Sequence, residues 1–156
     1  MNPAPRSRAQ RRRDTEHRLG HDVDLWVATA SADGTPYLVP LSFDWDGVAL
    51  LMATAKDSPT ARNLETGRSV RLALGPTRDV VMIEGDVEVL DLDALPTERG
   101  DRFAQHTAFD PRVLATPYHW FRVTPRRIQA WREVNELPGR ELMRDGRWLV
   151  RPMERR

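Results

Sequence analysis

The segment richest in chemistry is Ala53-Thr54-Ala55-Lys56-Asp57-Ser58-Pro59-Thr60-Ala61-Arg62-Asn63-Leu64. An apolar run ends there and a polar loop follows. Ser58-Pro59 then reads as a helix start, with serine at the N-cap and proline at the first helical position. The free amides of a helix N-terminus attract anions, and the helix dipole adds to that pull. Beside them stand the hydroxyls of Ser58 and Thr60, the guanidinium of Arg62, and Lys56, the single lysine of the chain. A guanidinium grips a phosphate with two donors and an ammonium adds a point charge. The set could hold a phosphate. It also fits an ordinary capped helix with solvated charges, and the residues alone leave both readings open.

Other constellations are missing. No two of the nine glycines form Gly-x-Gly, so there is no dinucleotide fingerprint, phosphate-binding P-loop or nucleophile elbow. The chain has no cysteine, which excludes disulfides, thiolate catalysis, iron–sulfur clusters and cysteine-based zinc sites. His17 and His21 have the i, i+4 spacing of a helical metal pair, with Asp14, Asp22 and Asp24 nearby. They lack the glutamate of a His-Glu-x-x-His motif, and Gly20 lies between them, so they read as solvated helix-end histidines. His106 and His119 have no serine or carboxylate partner at a telling spacing. Side-chain nucleophilic catalysis and a metal site are therefore not expected.

The elements around the loop follow from periodicity. Residues 5–19 are polar helix formers behind Pro3 and Pro5. From Asp24 the period changes to two. Asp24–Ser31 reads as a strand, closed by Ala32-Asp33-Gly34-Thr35, and Asp-Gly is a strong hairpin signal. Tyr37–Trp45 alternates, with Tyr37, Val39, Leu41, Phe43 and Trp45 on one face and Leu38, Pro40, Ser42 and Asp44 on the other. Asp46-Gly47 turns the chain into a third strand, Val48–Thr54. The Ser58 helix stops at Gly67. Strands follow at Ser69–Leu74 and at Val80–Leu90, the second bent or bulged at Gly85. A helix is predicted over 95–107. A last strand spans Tyr118–Thr124 and Ile128–Trp131, interrupted near Pro125. Asp145-Gly146 suggests a small terminal hairpin. Six antiparallel strands joined by short turns predict a mainly β fold, a small closed barrel with a few short helices. Turns this short rule out parallel crossovers.

One domain accounts for 156 residues that are 40% apolar and 30% charged. It divides into a basic tail and short helix (1–19), the barrel (20–135) and an extension of the same domain (136–156). Residues 1–13 hold five arginines and no acid, against 19 bases and 23 acids in the rest. We read the tail as solvated and partly frayed. A nucleic-acid-binding barrel would need exposed aromatics beside such charge, and the aromatics here alternate as core residues do. No apolar run reaches the ~20 residues of a membrane span, and no apolar stretch near the start forms a secretory signal. The expected compartment is the cytoplasm, with no membrane partner.

Taken together, Trp26-Val-Ala-Thr-Ala-Ser-Ala-Asp-Gly-Thr-Pro-Tyr-Leu-Val-Pro-Leu-Ser-Phe-Asp-Trp-Asp-Gly47, the Leu50–Leu64 stretch and Asp79-Val-Val-Met-Ile-Glu-Gly-Asp-Val-Glu-Val-Leu-Asp91 resemble the pyridoxamine 5′-phosphate oxidase-like flavoproteins, including the flavin and deazaflavin oxidoreductases. The resemblance covers roughly residues 20–135. It implies a six-stranded split β-barrel that works as a homodimer with two flavin sites at the interface. It implies FMN, or alternatively an 8-hydroxy-5-deazaflavin coenzyme, and hydride transfer with a small-molecule substrate. Carried over by position, Lys56, Ser58, Thr60 and Arg62 would bind the phosphate. The backbone of Val39, Pro40, Leu41 and Ser42 would lie along the ring system, and Thr54 near the ribityl chain. Arg78 would come from the second subunit over the cofactor, and Trp120, alternating with Phe121, would help form the interface. No general acid or base is assigned, since in flavin enzymes the cofactor carries the chemistry. True pyridoxamine phosphate oxidases end in an Arg-Leu-His-Asp-Arg type motif. This chain reads Gly139-Arg-Glu-Leu-Met-Arg144 instead, which argues against vitamin-B6 oxidation. A non-catalytic flavin- or heme-binding protein would share the same pocket.

Overall fold

The computed structural model describes residues 3–153. Met1 and Asn2 of the tail and residues 154–156 of the extension lie outside the described residues. Helix α1, Arg8–His21, opens on Ser7, whose side chain accepts from the Gln10 amide. It passes Gly20 and so crosses the expected boundary at residue 19. Arg11, Thr15 and Leu19 are its buried face, spaced by four.

The basic N-terminus is not a solvated tail. Arg6 pairs with Glu136 at 2.8 Å and with Asp14 at 2.8 Å. Arg11 is buried and donates to the carbonyls of Ala130 (3.2 Å), Glu136 (2.8 Å) and Pro138 (3.1 Å). Arg8 bonds the carbonyls of Gly139 and Glu141, and Arg12 lies 4.4 Å above the Trp148 ring centroid. The reason is geometric. The 130–141 stretch turns several carbonyls toward α1, and a guanidinium carries enough donors to satisfy two or three of them.

The strands are β1 (Asp24–Ala30), β2 (Pro36–Trp45) and β3 (Leu50–Ala55). Helix α2 (Pro59–Gly67) precedes β4 (Ser69–Leu74) and β5 (Val80–Leu90). Helix α3 (Thr97–Thr107) is followed by β6 (Tyr118–Trp131), β7 (Glu141–Arg144) and β8 (Arg147–Trp148). The sheet order is β3-β2-β1-β4-β5-β6-β7-β8, all antiparallel, and a further β3–β6 pairing closes the first six strands into a barrel. The hairpin β7–β8 extends the sheet beyond β6.

Three details differ from the sequence reading. β6 is continuous through Pro125. Glu84 pairs with Arg127 and Gly85 with Pro125, so Arg126 bulges out beside the proline. A Cβ on Gly85 would stand 2.4 Å from the Val123 side chain, so only glycine lets β5 and β6 approach there. Val48 is exposed in the turn, and β3 begins at Leu50. The left-handed residue after α2 is Arg68 (φ 54°), not Gly67.

The interior of the barrel is filled by Leu25, Val27, Phe43, Met52, Leu72, Ile83, Phe121 and their neighbours. A second cluster lies outside, between β3, β6 and α3, built on Leu51, Ala53, Phe103 and Trp120. Trp120 is therefore not an interface residue. It is 0% exposed, edge-on to Phe103 at 5.0 Å, with its indole N–H on the Leu92 carbonyl. It does point away from Phe121, but α3 covers it. Asp44, which alternation sets on the face of β2 opposite Phe43 and Trp45, is buried by the same helix. Its carboxylate takes Arg99 at 2.6 Å and Arg102 at 3.2 Å.

Candidate functional site

The site arises where the barrel wall parts. β2 pairs with β3 only from Phe43↔Met52 to Trp45↔Leu50. Beyond Phe43, β2 stays on β1 as far as Ala30↔Pro36. Beyond Met52, β3 stays on β6 as far as Ala55↔Tyr118. The two strands diverge, so the edge of β2 from Pro36 to Ser42 that turns toward β3 has no strand partner. Alternate amides and carbonyls there are left to bond something else.

A cavity of about 400 Å³ opens at this split. Pro40, Leu41 and Ser42 form one side and Ala53 and Thr54 the other. Phe103 of α3, with Phe109 and Tyr118, supplies an aromatic wall, and the Phe109 and Tyr118 rings lie 5.7 Å apart. Asp24 stands opposite Ser42 in the β1–β2 ladder and completes the lining. The Ser42 hydroxyl donates to the Asp24 carboxylate at 2.7 Å.

From the cavity a polar path leads to α2. Thr54 Oγ1 lies 3.3 Å from Ser58 Oγ. Ser58 is the N-cap, accepting from the Ala61 amide at 3.0 Å, and its carbonyl takes the Arg62 amide. Pro59 has no N–H, which leaves the Thr60 amide as the first-turn donor without a partner among the described residues.

The structure brings some of the candidate residues together and sets others apart. Pro40, Leu41, Ser42 and Thr54 line the cavity together, with Ser58 adjoining through Thr54. Lys56 and Arg62 are exposed beside the helix start, the Arg62 guanidinium resting on the Asp57 carbonyl at 2.7 Å. The Thr60 side chain is buried, so Thr60 offers the site its backbone rather than its hydroxyl. Val39 packs against the barrel core and presents only backbone. Arg78 lies in the β4–β5 turn, exposed and paired with Glu133 at 3.3 Å, and is not part of the cavity wall.

Asp24, Phe103, Phe109 and Tyr118 were not expected. Asp24 had a signal. A hairpin turning on Asp33-Gly34 sets Ala30 against Pro36, and the same register carries Asp24 to Ser42. The aromatic wall had none, because the docking of α3 depends on residues far apart in the chain. Among the described residues no group of three or more histidines and carboxylates is placed to hold a metal, and no helix is long and apolar enough to cross a membrane.

Residues 24–132 match the family pattern described as pyridoxamine 5′-phosphate oxidase. Among solved structures, the chain is similar to an F420 reductase, at 20% identity and a TM-score of 0.59 over 72% of this chain and 94% of the other. It is also similar to a putative pyridoxamine 5′-phosphate oxidase from Listeria innocua, at 14% identity and a TM-score of 0.60 over 78% and 96%. A third is HutZ, the heme storage protein of Vibrio cholerae, at 16% identity and a TM-score of 0.61 over 78% and 94%. At these identities the likeness is one of fold. No curated protein matches the chain by sequence.

Proposed function

Because the chain belongs to the pyridoxamine 5′-phosphate oxidase family, matching it over residues 24–132, we propose that it is a flavin-dependent oxidoreductase using FMN. The observation that carries this reading is the split between β2 and β3. An open strand edge suits the polar rim of a fused heterocycle, and the cavity beside it runs through Thr54 to a helix N-terminus. The phosphate would meet the Thr60 amide, Ser58, Arg62 and Lys56. The ring system would lie along Val39–Ser42. FMN would supply hydride transfer to or from a small organic substrate. The chain's own residues orient it, and Phe103, Phe109 and Tyr118 keep water from the cavity.

Vitamin B6 is not the proposed substrate. The segment 139–144 serves the fold: Leu142 and Met143 are buried, and Glu141 pairs with Arg127 at 2.7 Å. A deazaflavin coenzyme is the alternative cofactor, favoured by the likeness to an F420 reductase. The likeness to a heme storage protein supports a binding protein without turnover as the reading from another class.

The working unit is a homodimer. An apolar row on the outside of the barrel supports this: the registers set Pro40, Trp26, Ala73 and Met82 side by side across four strands, with Leu38 next to Ala28. Trp26 is 51% exposed and Leu38 60%, more than a monomer's wall needs. The dimer buries over ~2,000 Å² in total, as permanent dimers do, and Arg78 of the partner subunit reaches over the cofactor. The proposal is tested by titrating purified protein with FMN, the deazaflavin coenzyme and hemin while following absorbance, with sedimentation of each sample. Saturable FMN binding by a dimer is expected. Tight hemin binding with no flavin spectrum would replace the enzyme reading with the storage one, and a monomer that binds FMN tightly would remove the shared site.

A further inference from the structure

Outside the cavity, one histidine joins three elements. His119 of β6 stands opposite Thr54 in the β3–β6 ladder, so the two side chains leave the sheet on the same face. Its side chain is 17% exposed and its ring lies edge-on to Phe121 at 6.2 Å. Nδ1 is 3.2 Å from the Glu65 carboxylate of α2, and Nε2 is 3.3 Å from the carboxylate of Asp91, just past β5. A neutral imidazole has one N–H and donates to one of the two, turning a lone pair toward the other. The protonated ring donates to both. Glu65 and Asp91 are the charged groups within ion-pair distance of the ring among the described residues. Nearby, Glu88 is taken by Arg122 and the Arg62 guanidinium by the Asp57 carbonyl, while the exposed Lys56 and Arg68 make no ion pair among the described residues. Helix α2 has few other holds. Of its nine residues only Thr60, Ala61 and Leu64 are buried, and Asn63 reaches the Thr29 hydroxyl at 3.1 Å.

We propose that His119 is a positioning residue: its protonated ring holds α2 against the ends of β5 and β6, its neutral ring lets go of one carboxylate, and the order of α2 and the grip of its N-terminus on an anion fall together as the ring loses its proton. Imidazoles change charge between about pH 5 and pH 8, so the hold is complete at the acid end of that range and weakened at the other. The effect on the anion rests on the flavin reading, which puts the FMN phosphate at that helix end. The hold on α2 does not. Partly exposed ion pairs are weak, so the change is one of a few-fold.

The test follows amide hydrogen exchange in the full-length, flavin-free protein at about pH 5.5 and pH 8, as protection of the α2 amides relative to those of β4. The ratio removes the pH dependence of the fold as a whole. Protection of α2 should fall about threefold at the higher pH, and His119→Gln should show the lower protection at both. Sulfate, whose charge is the same at the two pH values, serves as the anion probe, and the wild type should bind it about threefold tighter at the lower pH. Glu65→Gln separates positioning from a plain effect of charge, because it removes one tie and one negative charge at once. Positioning predicts weaker sulfate binding by this variant, and charge alone predicts tighter. A wild-type α2 whose protection ignores pH, a pH step that survives in His119→Gln, sulfate bound equally at both pH values, or tighter sulfate binding by Glu65→Gln would overturn the proposal. FMN binding is read by absorbance in the same samples. A step in α2 protection with neither sulfate nor FMN bound defeats the flavin reading and leaves the hold of His119 on α2.

Discussion

Glu136 ties the two ends of the chain together, and Glu136→Gln should show how much that is worth. The carboxylate is 2% exposed. It accepts from the Arg6 backbone amide at 2.8 Å and from the Arg6 guanidinium at 2.8 Å and 3.1 Å, and the Arg132 amide adds a further bond at 2.9 Å. Burial opposes ionisation, but Arg6 and the Arg132 amide outweigh it and hold the carboxyl down from 4.5 to about 2. A difference of that size corresponds to roughly 3 kcal/mol between the charged and protonated forms. The folded-state value lies below the unfolded one. The stabilisation is therefore complete above the unfolded pKa, and it disappears as pH falls from about 4.5 toward 2. Glutamine keeps an acceptor for the Arg6 amide but loses the charge. Urea unfolding followed by tryptophan fluorescence should find the variant ~2–4 kcal/mol less stable at pH 7. Asp46 and Asp110, whose carboxyls are also held low, contribute pH dependence to both proteins, so the difference between them isolates Glu136. That difference should shrink steadily below pH 4.5. A loss under ~1 kcal/mol at pH 7, or a difference that stays constant down to pH 3, would refute the assignment.

Ser58→Ala removes the α2 cap and the neighbour of Thr54, so it should cost ~1 kcal/mol in thermal or urea unfolding and weaken FMN binding by fluorescence titration. Arg62→Ala should weaken FMN roughly tenfold through a lost charge-assisted contact and leave unfolding stability nearly unchanged, because the side chain is exposed. Asp44→Asn breaks a buried pair and should cost ~3–5 kcal/mol. It should also loosen α3, read as increased amide exchange across Thr97–Thr107 and a red-shifted emission from Trp120. If α3 exchange is unaffected, Asp44 does not hold that helix in place.

Most of the barrel was legible locally. β4 and β5 have the predicted ends, because alternation and the flanking glycines are short-range signals, while the irregularity expected in β5 at Gly85 falls on the partner strand, as a bulge at Arg126 of β6. The Ser58-Pro59 helix start is equally local chemistry. What the chain could not announce are contacts between distant segments. Arg8 and Arg11 read as part of a solvated tail, since their acceptors are carbonyls some 119–133 residues away. Trp120 alternates away from Phe121, and Asp44 away from Phe43, and only the docking of α3 buries both. The same holds for the site. Thr54 and Ser58 are four residues apart and meet by the local turn. The cavity exists because β2 follows β1 while β3 follows β6, and that choice is made by the closure of the whole barrel. Alternation tells a strand which face to bury. Only the competition among neighbouring strands decides where two of them part.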